Sequence, residues 1–154
     1  MKLAISIVLF LILNFGALAI GGLFTGAGVT SDWYYSLEKA PWSPPGWVFG
    51  LAWTTIMICY SFYMAILYKR TSNRKKVFAL YFIQLLLNIA WNPLFFFFQN
   101  ALIALVVILS LTVIIAYFLF RDQDLMRWSK LLILPYFLWL CIATSLNLYI
   151  VLYN

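Results

Sequence analysis

The sequence predicts an all-α membrane protein, a five-transmembrane-helix bundle, and three observations predict it. Of 154 residues, 66% are apolar and only 9% are charged, whereas a soluble domain keeps roughly a quarter of its residues charged. Five stretches reach the length of about 20 apolar residues needed to cross about 30 Å of hydrocarbon. None of the five contains Asp, Glu, Lys or Arg, and the mean hydropathy of the chain is +1.00. Lipid, rather than water, must be the solvent for most of this surface.

The spans are predicted at residues 4–24, 47–68, 77–98, 101–120 and 131–152 of a single transmembrane domain, with one long outer loop at 25–45. The first could pass for a signal peptide, because Ala17-Leu18-Ala19 looks like a cleavage site. It is too long for one and has a single basic residue before it, so it reads as a helix. The loop that follows is aromatic, with Trp33, Tyr34, Tyr35 and Trp42 suited to a lid over the bundle mouth. Ser43-Pro44-Pro45-Gly46 reads as a helix start, with Ser43 as cap and proline in the first turn. The two prolines stiffen the approach to the second span and remove backbone donors. In that span Phe49, Trp53 and Met57 repeat every four residues. In the third, Gln84, Asn88, Trp91 and Phe95 are spaced four, three and four, which puts them on one helix face. Gln99 and Asn100 alone join the third and fourth spans, so those two form a tight antiparallel hairpin. In the fifth span Tyr136, Trp139, Ala143 and Asn147 again share a face. Pro93 and Pro135 read as single kinks near helix ends. Gly22 with Gly26, and Gly46 with Gly50, are small pairs that allow close helix packing or dimerisation.

Charge gives the bundle a direction. Lys2, Lys69, Arg70, Arg74, Lys75, Lys76, Arg121, Arg127 and Lys130 fall on one side and Lys39 alone on the other. Short basic loops stay cytoplasmic, so the amino terminus is expected inside and the carboxyl terminus outside, on the presumption of insertion into a bacterial inner membrane. The net charge of +6 follows from this bias and from attraction to anionic headgroups; it calls for no nucleic-acid partner. Trp33, Trp42 and Trp47 near one face, with Tyr68 and Trp128 near the other, suit interfacial belts.

The chemistry available inside is restricted. There is no His, and the four carboxylates (Asp32, Glu38, Asp122, Asp124) lie in loops. Proton relays, ion-coupled pumps, acid–base catalysis and metal centres lose their usual groups. Cys59 and Cys141 read as small buried hydrophobes. Any chemistry belongs to a bound ligand, and no cofactor is required. Amides in hydrocarbon are costly unless paired, so Gln84, Asn88 and Asn147 point into the bundle. They are either interhelical glue or the lining of a cavity walled by Trp53, Trp91 and Trp139. At 1.5 Å per residue, Trp53 and Trp91 lie roughly 10 Å below the outer ends of their spans, with Trp139 nearer mid-depth.

These residues carry a resemblance. Trp33-Tyr34 through Lys39, Trp42-Ser43-Pro44-Pro45 with Phe49 and Trp53, Gln84-Leu85 with Asn88, Trp91, Pro93, Phe95 and Phe96, and Pro135-Tyr136 with Trp139, Ala143, Leu146-Asn147 and Asn154 resemble the translocator protein family. These are the bacterial tryptophan-rich sensory proteins related to the peripheral benzodiazepine receptor. The resemblance implies a five-helix bundle, often a homodimer, that binds porphyrins such as protoporphyrin IX and benzodiazepine-type ligands, with a sensory role in tetrapyrrole or stress response. Carried over by motif, its ligand pocket corresponds to Tyr34, Pro44, Phe49, Trp53, Asn88, Trp91, Trp139, Ala143 and Leu146. It also implies two rival activities: light-dependent porphyrin degradation, which would involve Trp53 and Trp139, and transport of tetrapyrroles, lipids or sterols. The family's sterol pattern wants a basic residue after its Tyr; Tyr149 has none after it, which argues against sterol binding.

Overall fold

The computed structural model describes residues 2–121 and 127–154; Asp122 and Asp124 lie outside them. Six α-helices follow in chain order: α1 (Leu3–Gly28), α2 (Asp32–Ser36), α3 (Gly46–Arg70), α4 (Arg74–Asn92), α5 (Ala101–Phe120) and α6 (Lys130–Tyr153). Five of these, with α4 counted through Phe97, are long and apolar enough to cross a membrane. They close into a ring in which α1 touches α3 and α4, α6 touches α3 and α5, and α4 touches α5. One end of the bundle carries the basic linkers and the other carries α2 and the aromatic residues of the long loop.

Large apolar side chains cover the outward surface: Val8, Ile12, Leu23, Phe82, Leu86, Val106, Val113 and Leu138 are all exposed. That would be ruinous in water and suits lipid contact. The shared core is aromatic as much as aliphatic. Tyr60, Tyr63, Met64, Leu67, Val77, Ile133 and Tyr136 are completely buried.

Helix bounds depart from the apolar stretches where local chemistry extends or caps them. α1 runs on past Phe24 to Gly28, because Thr25 Oγ1 donates to Asn92 Oδ1 (2.7 Å) and fastens that turn to α4. α3 gains Lys69 and Arg70, cations that suit the negative end of a helix dipole. α4 starts at Arg74 because Asn73 caps it, accepting from the Lys76 N–H (3.0 Å). The expected Ser43 cap is not used: Pro45 holds the cap position of α3, without a side-chain hydrogen bond. The long loop is not helix-free, since α2 forms in it with Ser31 accepting from Tyr34 N–H (3.2 Å).

Pro93 does more than kink the third span. Residues Pro93–Phe97 form a π-helical turn, closed by Phe98 N–H to Pro93 carbonyl (2.9 Å). A proline lacks an N–H and presses on the carbonyl four residues before it, and the wider turn relieves that crowding. The chain then reverses through Gln99, held at φ 52°, and Asn100, whose side chain caps α5 by accepting from Ile103 N–H (3.0 Å).

The glycine pairs read from sequence are not those that pack. A Cβ on Gly22, Gly26, Gly46 or Gly50 would meet open space, whereas one on Gly21 would run into Asn92 and one on Gly28 into Phe96. Cys141 is exposed and Cys59 only half-buried, so neither is the buried hydrophobe expected. Apolarity alone cannot separate a lipid-facing position from a core one.

Candidate functional site

The three amides singled out in the third and fifth spans have different fates. Gln84 Nε2 donates to Tyr136 Oη (2.8 Å). Asn147 accepts from Trp91 Nε1 (3.0 Å) and donates to the Ala101 carbonyl (2.9 Å). Both are interhelical glue. Asn88 is only 8% exposed, and its carbonyl accepts from Asn92 Nδ2 (3.3 Å). Its own side-chain amide has no hydrogen-bond partner among the described residues. Leaving such a group unpaired in a bundle costs free energy unless something else occupies it.

Trp139 is the second such group: 7% exposed, with an indole Nε1 buried and unpartnered. Its ring meets Phe49 edge to face at 5.3 Å. Trp53, one turn further along α3, meets Tyr136 in the same way at 5.9 Å. These two contacts set the register of α3 against α6. Trp139 therefore stands level with the first turn of α3, nearer the aromatic end than Trp53, and not at the greater depth expected. By the same register α3 begins about level with Ile142, and α6 continues beyond it to Tyr153.

The remaining sequence-picked residues lie toward the aromatic end. Trp91 is half-buried and stacks on Phe95 at 4.9 Å with 13° between planes, and with its bond to Asn147 its ring is held in place. Phe95 and Phe96 come from the π turn, and both carry the α2 segment. Trp33 packs on Phe95 (5.4 Å) and Tyr34 on Phe96 (5.7 Å). Lys39 Nζ sits 4.3 Å from the Tyr34 ring centre. Burial raises the Tyr34 pKa above that of a free phenol, so the group remains a neutral hydroxyl and a donor at ordinary pH. Pro44, Ala143 and Leu146 are half-buried; Ala143 and Leu146 share the face of α6 that carries Trp139 and Asn147.

A separate groove of about 330 Å³ opens between α3 and α6, walled by Val48, Leu51, Thr55, Leu138 and Ile142 with Trp139 among its lining. Of the nine residues picked from sequence, Trp139 alone borders it. Sequence reasoning named Glu38, Trp42 and Tyr149 without foreseeing that, with Ser145, they hold the loop to α6, and it passed over the buried chain of Asn14, Ser61 and Tyr81. For Asn14 the signal was present: it is the lone amide in an otherwise apolar span.

The fold defines a polytopic helical membrane protein, most of whose tryptophans gather with the other loop aromatics at one end of the bundle. The pattern of the TspO/MBR family matches residues 7–153, and the chain belongs to that family. It is 36% identical to the tryptophan-rich protein TspO of Archaeoglobus fulgidus over 100% of this chain and 97% of that one. It is 35% identical to the tryptophan-rich sensory protein of Cereibacter sphaeroides over 80% of this chain and 78% of that one. The translocator protein of Homo sapiens is 31% identical over 82% and 79% respectively.

Proposed function

We propose that this protein is a membrane receptor that holds a flat tetrapyrrole, such as protoporphyrin IX, in the aromatic end of the bundle. The observation that carries this reading is the pair of polar groups left without partners there. The Trp139 indole N–H is buried with no partner among the described residues, Asn88 as a residue is 8% exposed and its amide bonds nothing among them, and each belongs to a helix face rich in aromatic rings. A ligand that offers both a broad π-face and hydrogen-bonding nitrogens or carboxylates satisfies both demands.

On this reading the macrocycle lies against Trp53 and Trp139, with Trp91 as the far wall. Stacking matters more than usual, since lipid already solvates an apolar ligand and leaves little ordinary hydrophobic drive. Asn88 and the neutral Tyr34 hydroxyl supply hydrogen bonds. The propionates stay at the mouth near Lys39, the one basic residue at that end. A benzodiazepine-type ligand would use the same rings without the carboxylate contact. The basic end faces the cytoplasm by the positive-inside rule, so the ligand is met from the opposite leaflet. The relative named a sensory protein supports a signalling role over turnover.

The test is a titration of intrinsic fluorescence with protoporphyrin IX, comparing the wild type with Trp53→Phe/Trp139→Phe. Edge and face contacts of this kind are worth about 0.5–1.5 kcal/mol each beyond area burial, so affinity should fall roughly tenfold. An unchanged affinity in the double variant overturns this placement of the ligand.

A further inference from the structure

The segment from Leu37 to Pro45 takes the place that a longer α3 would fill. Because α3 begins about level with Ile142, the outer turns of α6 have no helix beside them on that flank, and this segment lies along them as a strap. Leu37 and Pro45 at its two ends are extended (ψ 135° and 150°), and a turn closes between Ala40 and Ser43 (2.9 Å). Ala40 tucks inward, 4% exposed.

The two fastenings of this strap differ in kind. At its α2 side, Trp33 and Tyr34 are packed on Phe95 and Phe96, which are themselves buried. At its α6 side the contacts are exposed and, apart from one ring contact, polar. Glu38 N–H donates to Asn154 Oδ1 (2.8 Å), and Asn154 Nδ2 donates back to the Glu38 carbonyl (3.2 Å). Trp42 Nε1 donates to Ser145 Oγ (3.2 Å) and its ring meets Tyr149 edge-on at 5.5 Å.

The Asn154 pair is chemically specific. A residue outside any helix or sheet, as Glu38 is, has one N–H and one C=O to satisfy. A carboxamide offers one acceptor and two donors, so Asn154 meets both backbone groups of Glu38 as a neighbouring strand would. Solvent-exposed hydrogen bonds of this sort open more readily than buried apolar contacts. The strap therefore has a fixed side at α2 and a releasable side at α6.

We propose that Asn154 is a positioning residue that latches the strap shut, and that the ligand passes when the strap swings off α6, sideways through the groove between α3 and α6. The groove is apolar, begins at Val48 just below Pro45 and has Trp139 among its lining, so a lipid-dissolved flat ligand can slide from it to the indole. The choice of ligand rests on the tetrapyrrole reading; the latch itself does not.

The experiment uses the full chain in lipid nanodiscs. In Asn154→Ala, amide exchange at Glu38 should accelerate roughly three- to tenfold while the amides of Tyr34 and Tyr35 keep their protection. Unchanged exchange at Glu38 overturns the latch, whether or not protoporphyrin IX binds. With protoporphyrin IX, association and dissociation rates should both rise by a similar factor, and Kd should move less than either. Faster dissociation with unchanged association would make Asn154 a ligand contact and overturn the gating role. Glu38→Gln keeps the backbone pair and should keep wild-type rates; rates like those of Asn154→Ala would shift the latch to the carboxylate and overturn the assignment. Ile142→Trp fills the groove from the lipid side and should slow association severalfold, and unchanged association would overturn the sideways path. Failure of the wild type to bind protoporphyrin IX at all would sink the functional reading, and the exchange measurement would still decide the latch.

Discussion

The two ends of the bundle handle the same problem, polar groups in an apolar bundle, in opposite ways. Toward the basic end, polar groups pair with one another. Tyr81 Oη donates to Asn14 Oδ1 (2.8 Å), Asn14 Nδ2 donates to Ser61 Oγ (2.8 Å), and Ser61 Oγ donates to the Met57 carbonyl (2.6 Å). Tyr63 Oη donates to the Phe118 carbonyl (2.6 Å). The residues that make these bonds are all 0–1% exposed. Toward the aromatic end, Phe49, Trp53, Trp91, Ala143 and Leu146 are only half-buried, and Asn88 and Trp139 keep unpartnered groups. Tyr60 Oη and Gln84 Oε1, also buried and unpartnered, sit at the seam, on either side of the Tyr136 phenol that Gln84 bonds and Tyr60 packs against. One end is a closed anchor that fixes where the helices stand; the other keeps polar groups that find no partner among the described residues.

The comparison can be broken by making the same change at both ends. Asn14→Leu keeps the side-chain volume and removes both of its interhelical bonds. Tyr81 then loses its acceptor in the packed core, while Ser61 keeps the Met57 carbonyl. Interhelical bonds in membranes average about 0.6 kcal/mol with a maximum near 1.7, and a stranded buried hydroxyl adds about 1–3. The variant should lose about 2–3 kcal/mol of stability, read as thermal unfolding in detergent, with protoporphyrin IX affinity unchanged. A stability equal to wild type would mean that this network anchors nothing.

The next effect tests the seat of the mouth. A methyl group on Gly28 would collide with Phe96, not at a flexible tip but near its Cβ. Gly28→Ala should cost about 1–3 kcal/mol, the usual range for overpacking. It should also loosen α2, since Phe96 carries Tyr34. Gly26→Ala, two residues away on the open face, serves as the control and should change nothing measurable. Equal effects at both positions would show that the α1 contact with the π turn does not hold the mouth.

How much of this was legible in the sequence depends on whether a feature is periodic or relational. Five spans and their charge asymmetry follow from composition along the chain. The inward faces of α4 and α6 follow from spacing, because Gln84, Asn88, Tyr136 and Asn147 are polar residues whose burial only one helix phase can satisfy. α1 is apolar nearly all round, so Asn14 is the one strong cue to its rotation, and with that cue unread Gly22 and Gly26 looked as good a packing pair as Gly21 and Gly28. The level of Trp139 depends on how far α3 starts below the end of α6, a register between two helices that neither encodes alone. The π turn needs Pro93 to be read together with the short reversal through Gln99. Asn154 and Glu38 are 116 residues apart, and only the ring closure of α3 against α6 brings them together. Spacing picked Phe49, Trp53, Asn88, Trp91 and Trp139, and the family resemblance added Tyr34, Pro44, Ala143 and Leu146; the structure supplies the distinction between Asn88, whose amide bonds nothing among the described residues, and Asn147, which is tied down.

That distinction yields the smallest and sharpest effect. Asn88→Leu is the counterpart of Asn14→Leu at the other end, the same change of chemistry and nearly the same volume. Because the Asn88 amide bonds to no other side chain, no partner is stranded by its loss, and an unpaired amide is itself costly in this setting. Stability should therefore stay within about 0.5 kcal/mol of wild type or rise slightly. Protoporphyrin IX affinity should instead fall by about 1 kcal/mol, roughly fivefold, the worth of one hydrogen bond that the ligand no longer finds. Thermal unfolding and a fluorescence titration on the same two preparations give the answer. If Asn88→Leu loses stability as Asn14→Leu does, Asn88 is structural glue after all, and the two ends of the bundle do not differ in the way their polar groups imply.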